Sequence, residues 1–328
     1  MTVSPRPPDR ARAMGNLMRV DAVTAEVVTH LRSLGVRTIL LKGPSFGWLY
    51  DHRLERLYAD TDLLVAAGDA ATARAAMSAL GFEVAVPRHE LDRPVPAANW
   101  LRPRTGSSVD VHVGITGSGL PFQEQWDVLS RDTERMKVGR IEVEILAVPG
   151  RTLHVVLHAA QHGRGSRPLE DLARAVERVP EAHWREAAAL AERLDAPAAF
   201  AAGLRLLPAG AVLADSLGLA RERSVEVILR EEQPPLALGL KWLTEMPGLG
   251  ARARLVRAKL FPPVTALIPP GQDRTPRAIA AAYLRNLRRM TRQAVPAWKA
   301  LRRARRQAGA EAPGSPRSKP GKTDQEGR

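Results

Sequence analysis

The sequence predicts an α/β first half, a mixed sheet with flanking helices, followed by an all-helical C-terminal part. Three observations predict it. Short aliphatic runs bounded by Gly, Pro and Asp recur between residues 38 and 146, with helical periodicity between them. After Pro149 the apolar spacing is helical only. The stretch Thr38 to Val65 reads as strand, turn, helix, short loop and strand, with polar residues at both joints.

In order, residues 1–15 are rich in Pro and Arg and predict a disordered tail. Val23, Val27, Leu31 and Leu34 recur at helical spacing from Asp21, and Gly35 stands where that helix ends. Asp69 caps an Ala-rich helix closed by Gly81, and Phe82 to Val86 reads as a strand. Residues 87–107 are mostly loop, with Asn99 to Arg102 as an edge strand. Strands are then expected around Asp110 and over Ile141 to Leu146, with a short helix at Gln123 to Leu129. Helices follow over Thr152–His162, Leu169–Arg178, Glu181–Leu194, Pro197–Leu207, Ala220–Arg230 and Pro235–Leu243. Two Pro-Pro linkers precede a basic helix, Pro276 to Arg306, with a break expected near Pro296. The domain boundaries implied are a tail over 1–15, a sheet domain over 16–148, a helical domain over 149–306 and a disordered basic tail over 307–328.

Composition narrows the functions. The 328 residues contain no cysteine, which excludes disulfides, thiolate zinc sites and cysteine nucleophiles. Met1 to Val20 has no signal-peptide core, and the most apolar window, Ala196 to Ala220, is interrupted by Arg205, Pro208 and Asp215. A cytoplasmic protein without a membrane span is expected. The formal charge of +14 is uneven: residues 274–328 hold 15 Lys and Arg against 3 Asp and Glu. The basic helix reads either as a solvated face or as a surface for phosphate backbones, with only Tyr283 and Trp298 for stacking.

The chemistry sits at the joints of the Thr38–Val65 stretch. Gly43 permits a sharp turn, and Pro44 stands where a first helical residue needs no N–H donor. Such a turn, with its free N–H groups, suits a phosphate. Strand alternation puts Asp60 and Asp62 on one face and Thr61 and Leu63 on the other. Two neighbouring carboxylates stay ionised together only beside a cation, and a hard divalent ion such as Mg²⁺ would serve. Asp110 and His112 share a face of their own strand. Lys42 either neutralises bound phosphate or is a plain strand-end lysine; Arg56 either does the same or ion-pairs with Asp60 or Asp62. His154, His158 and His162, four residues apart, line one helical face, where a structural role outweighs zinc binding.

Lys42-Gly43, then Arg56, then Asp60-x-Asp62-Leu63-Leu64-Val65, resembles the nucleotidyltransferase fold of the DNA polymerase beta superfamily. More narrowly it is similar to the bacterial uncharacterised nucleotidyltransferase family, over roughly residues 20 to 180. Unlike many superfamily members, this chain has Pro44 between Gly43 and Ser45. The resemblance implies a polymerase-beta-like sheet and metal-dependent transfer of a nucleoside monophosphate from an NTP, such as ATP, with release of pyrophosphate. It makes Asp110 the third carboxylate, so that Asp60, Asp62 and Asp110 hold Mg²⁺ or Mn²⁺ and carry the catalysis. It assigns Lys42, Gly43, Ser45 and Arg56 to the nucleotide, and turns His112, His158 and His162 toward substrate, or the two helical histidines toward Asp171. The acceptor is left open as a small molecule, a peptide or RNA, with nucleic acid able to reach the basic C-terminal helix. The rival readings are a toxin-like transferase acting on tRNA or protein and a non-catalytic nucleotide-binding protein.

Overall fold

Strict alternation decides how the sheet is used. In Ser107–His112 every second residue is buried, so Val109 and Val111 go to one side and Asp110 and His112 to the other. The computed structural model describes residues 7–84, 97–163, 166–220, 228–229, 236–245, 248–262, 264–268 and 274–311. Helix α1 (Pro7–Ser33) leads into β1 (Thr38–Leu40), a 3₁₀ helix (Gly43–Leu49), a second short 3₁₀ turn (Arg53–Glu55) and β2 (Asp60–Val65). Then come α2 (Ala70–Ala79), β3 (Glu83–Val84), β4 (Ala97–Arg102), β5 (Ser107–His112), α3 (Phe122–Leu129), β6 (Thr133–Val138) and β7 (Ile141–Leu146). These form one mixed sheet of seven strands in the order β3-β4-β5-β2-β1-β7-β6. The strands β2 and β5 run parallel, as do β1 and β7, while the remaining neighbours are antiparallel.

The two sheet faces have separate cores. Leu63, Val65, Val109 and Ile145 pack under α1 and α2 through Val27, Leu31, Ala76 and Met77. Thr61 lies on that side too, its hydroxyl 2.7 Å from that of Thr24 in α1. On the opposite face Ile39, Leu41, Leu64 and Leu146 join a helical core. It is built from α4 (Val148–His162), α5 (Ser166–Arg178), α6 (Glu181–Arg193), α7 (Pro197–Leu204) and α8 (Pro208–Ser216). A further small core joins α9 (Ala237–Glu245) to α12 (Pro276–Glu311), with α10 (Leu249–Leu260) and α11 (Val264–Leu267) between them in the chain. Among the described residues, no helix is long and apolar enough to cross a membrane.

Several sequence expectations are corrected. Residues 7–15 are helical rather than unstructured, because α1 continues back from Leu17 and Val20, which pack on Tyr58. The segment after Lys42 is 3₁₀ rather than α-helical, as suits a short run with Pro44 and Gly47. The strand Ala97–Arg102 is not an edge, since β3 pairs outside it. Strand β6 went unread because its charged residues mask the alternation; it pairs with β7 across the Gly139-Arg140 turn. Pro149 starts α4 earlier than expected, at a position where a missing N–H costs nothing. The helix expected over Pro197–Leu207 ends at Leu204, and Pro208–Ser216 and Leu249–Leu260 add helices not anticipated. Pro296 lies inside α12 without ending it. The expected helix over Ala220–Arg230 and the C-terminal tail lie almost wholly outside the described residues.

Close packing of α4 on α7 depends on Gly203, where a Cβ would come within 2.4 Å of the Val156 carbonyl oxygen. Backbone cannot yield as a side-chain tip can. Gly203→Ala is therefore expected to lower stability by about 1–3 kcal/mol, the usual cost of overpacking. Urea denaturation checks it, and an unchanged midpoint would refute the close approach.

Candidate active site

The site grows from one register. Parallel pairing of β2 with β5 sets Asp62 beside Asp110 and Asp60 beside Ser108, with all these side chains on the face opposite Thr61 and Val109. His112, two residues along, reaches back so that its Nε2 lies 3.1 Å from Asp62 Oδ1. From the end of β1, Lys42 places its Nζ 2.6 Å from the same oxygen. Across β4, Asn99 is opposite Asp110 and donates from Nδ2 to Asp110 Oδ1 at 2.6 Å and to Ser108 Oγ at 2.8 Å.

Electrostatics follow from this crowding. Asp62 is 2% exposed, and burial alone would raise its pKa. The hydrogen bond with His112 and the charge of Lys42 outweigh burial and hold the carboxyl below the usual carboxylate range. Asp60 moves the other way, raised first by burial and then by the Asp62 charge, with Lys42 opposing and Asp110 adding to the rise. Lys42 thus pairs with Asp62, and among the described residues no ion pair is made by Asp60.

The side chains present fit a divalent cation. Asp62, Asp110 and His112 each offer a ligand atom, and the three atoms lie within 4.8 Å of one another. Oxygen donors suit Mg²⁺ or Mn²⁺, and an imidazole nitrogen shifts preference toward the later first-row ions. Asp60 stands outside this trio, one pleat away on the same strand face.

The turn beside the carboxylates is tied down by buried groups. Gly43 has φ +65°, the left-handed region its sequence position suggested. Ser45 is buried and its Oγ donates to the Leu41 carbonyl at 2.7 Å, so the hydroxyl serves the turn's own backbone. Arg56 does not pair with Asp60 or Asp62. Its Nε and Nη2 donate to the two oxygens of Asp171 on α5, each at 2.8 Å, and its Nη1 donates to the Gly43 carbonyl at 3.2 Å. Tyr50 donates to Asp171 as well, at 2.5 Å, and that charge together with burial raises the phenol pKa. Asp171, Tyr50 and Asn99 are the polar groups that sequence reasoning left without these roles. Only the pairing of distant segments reveals them.

The three histidines of α4 stack in series, with ring centroids 6.2 Å and then 4.6 Å apart. His154 meets Phe46 edge-on and approaches the Leu41 carbonyl at 3.3 Å through Nδ1. His158 lies close enough to Lys42 to feel its charge. Burial, then Lys42, pushes His154 down to about 3 and His158 down to about 2. Both are therefore neutral in the folded protein near pH 7.

Two expectations follow. The unfolded chain binds protons at these histidines near pH 6.5 while the native protein does not, so stability is full above that pH and falls as pH drops toward about 3. The loss approaches about 1.4 kcal/mol per pH unit for each histidine. Urea midpoints taken from pH 7.5 to 5 should fall less steeply for His154→Gln than for the wild type; equal slopes would rule His154 out. Second, Asp171→Asn should destabilise the fold by about 3–5 kcal/mol, because a buried guanidinium loses its counter-charge. An Arg56→Met, Asp171→Leu double variant should recover much of that loss, and a thermodynamic cycle on the four proteins measures the coupling.

A family model described as uncharacterised nucleotidyltransferase matches residues 10–209. Among solved structures, the solution structure of the antibiotic-resistance factor ANT(2'')-Ia is 15% identical with a TM-score of 0.38, covering 54% of this chain and 93% of that one. A crystal structure of ANT(2'')-Ia in complex with adenylyl-2''-tobramycin is 14% identical, TM-score 0.38, covering 53% and 97%. An antigenic nucleotidyltransferase-like protein from Paracoccidioides brasiliensis is 16% identical, TM-score 0.33, covering 57% and 93%. Scores this low carry no function across. No curated protein sequence matches the chain. The family model, spanning more than half of the sequence and all of the strands that carry the carboxylates, shows that the chain belongs to the uncharacterised nucleotidyltransferase family.

Proposed function

We propose that this protein is a metal-dependent nucleotidyltransferase that moves a nucleoside monophosphate from an NTP to an acceptor and releases pyrophosphate. The observation that carries the reading is the juxtaposition of Asp62, Asp110 and His112 on one sheet face, beside Lys42 and Asp60. A divalent ion held there, Mg²⁺ or Mn²⁺, supplies charge neutralisation at the reacting phosphate.

The chain's own residues have distinct tasks in this reading. Asp62 and Asp110 hold the ion, His112 is a third donor or holds Asp62 in place, and Asp60 gains a cation that relieves its raised pKa. Lys42, whose Nζ lies 2.6 Å from Asp62 Oδ1, would also serve as the cation for a phosphate bound beside that carboxylate. The turn at Gly43, kept in shape by Ser45 and Arg56, offers backbone N–H groups to the triphosphate. Ser45 and Arg56, expected to touch the nucleotide, act here as positioning residues. Asp110 is the group placed to accept a proton from the acceptor, with Asn99 fixing its orientation. His158, neutral and within reach of the Lys42 charge, and His162, one turn further along α4 with its ring against that of His158, would meet substrate from the helical side.

Purified protein with Mg²⁺ or Mn²⁺ and α-labelled NTPs should transfer label, and Asp62→Asn should reduce transfer by about 10²–10³-fold, the scale of lost electrostatic stabilisation. Undiminished transfer by that variant would refute the assignment. Calorimetry showing NTP binding that is indifferent to metal would favour a non-catalytic nucleotide-binding protein instead.

A further inference from the structure

Helix α12 carries a surface to which the proposed transfer reaction assigns no residue. One side of it is buried against its neighbours through Ala297, Ala300, Leu301 and Ala304. The exposed Arg285, Arg288, Arg289, Arg292, Arg302 and Arg306 fall on the other side, within an arc of about 140° at 3.6 residues per turn. With Arg277 the stripe runs about 40 Å at 1.5 Å per residue. No Asp or Glu occurs from Pro276 to Ala310. Cations three and four residues apart on a helix are neighbours and repel one another, so the stripe opposes the helix that bears it.

Hydrogen bonds from two arginines of this helix go to neutral side chains. Arg289 donates to Asn286 Oδ1 at 2.9 Å and Arg305 to Thr244 Oγ1 at 2.6 Å, both neutral acceptors. Asn286 Nδ2 donates to the carbonyls of Lys259 and Leu260, fixing the end of α10 against α12. Arg257 and Lys259, in the last turn of α10, are exposed as well. Trp298, 45% exposed, lies one turn from Arg302.

We propose that this face of α12 binds a nucleic-acid strand through its phosphodiester backbone, with Trp298 stacking on a base. Arginine, which supplies nearly every cation here, forks onto phosphate oxygens in a way lysine does not. A helix that lies in a membrane surface buries its apolar face in lipid, but Ala297, Ala300, Leu301 and Ala304 of α12 are already covered by protein, and the exposed Leu284, Val295 and Trp298 are too scattered to form such a face. An aromatic ring among cations matches the pattern of sequence-tolerant strand binding. The stripe lies beyond residue 209, where the family match ends, so this proposal does not rest on the transferase reading.

The test is fluorescence anisotropy of the full-length protein with a fluorescein-labelled mixed-sequence oligonucleotide of about 20 nucleotides, as RNA and as DNA. Binding should be comparable for the two and should weaken steeply between about 50 and 200 mM KCl. Replacing Arg285, Arg289, Arg292 and Arg302 by Gln should weaken it at least about tenfold and flatten the log–log salt slope by about 0.7 for each arginine. The four Arg→Lys replacements should keep the slope, and circular dichroism of each variant checks that helix content is unchanged. Trp298→Ala should weaken binding at an unchanged slope. Asp62→Asn should bind as the wild type does; loss of binding there would place the strand in the active site and overturn the proposal. It is equally overturned by no binding at about 50 mM KCl, by indifference to the Gln substitutions, or by preference for phosphatidylserine vesicles over the oligonucleotides.

Discussion

Asp62 and Asp110 sit at the same level of two adjacent parallel strands, on a face that the helical core largely covers. Carboxylates so placed repel each other and lose hydration, and the arrangement survives only because positive and hydrogen-bonding groups surround it. Lys42, His112 and Asn99 arrive from three different segments to do this, one from the end of β1, one from β5 itself and one from β4. The sheet order puts β2 and β5 at its centre, flanked by β1 and β4. Were either central strand to slip by one residue, its carboxylates would enter the apolar core under α1 and α2. The acidic face and the sheet topology are therefore one constraint seen from two sides.

The helical part is coupled to that face through Asp171. Its carboxylate takes both arms of Arg56 and the phenol of Tyr50, and Arg56 passes the connection on to the Gly43 carbonyl. A buried ion pair of this kind contributes little net stability, since desolvation offsets attraction, yet it fixes geometry strongly. Its effect is to hold the turn after β1 at one setting relative to α5. The same turn presents Lys42 to Asp62, so the position of a cation at the carboxylates depends on a contact made by a helix more than a hundred residues away in sequence.

What could be read from the sequence was local. Alternation in Ser107–His112 and Asp60–Val65 assigned the faces of the carboxylates correctly, because a strand's period of two is a property of the chain itself. The left-handed Gly43 was legible for the same reason. Long-range pairing was not. Arg56 carried a plausible ion-pair partner four residues away in Asp60, yet its partner is Asp171, which no spacing rule connects to it. Asn99 became an orienting group only once antiparallel register set it opposite Asp110. The charged strand β6 and the early turns of α1 were missed because their stability comes from what they pack on, Val143 and Ile145 beside one and Tyr58 beneath the other, rather than from their own composition.

The distribution of charge separates the two ends of the chain physically. Most of the formal +14 lies beyond residue 273, where α12 has a small core of its own with Ile228, Leu229 and Ala237. Exposed charges act over roughly one Debye length, about 8 Å at physiological salt, whereas the shifts of Asp60 and Asp62 come chiefly from burial and from groups beside them on the sheet. Asp62 is held ionised by Lys42 and His112, which are in contact with it. A polyanion bound to α12 as proposed would leave that ionisation to these local groups. Spreading the same arginines over the sheet-bearing half would have placed competing cations beside Asp60 and Asp110, where the proposed function puts a metal.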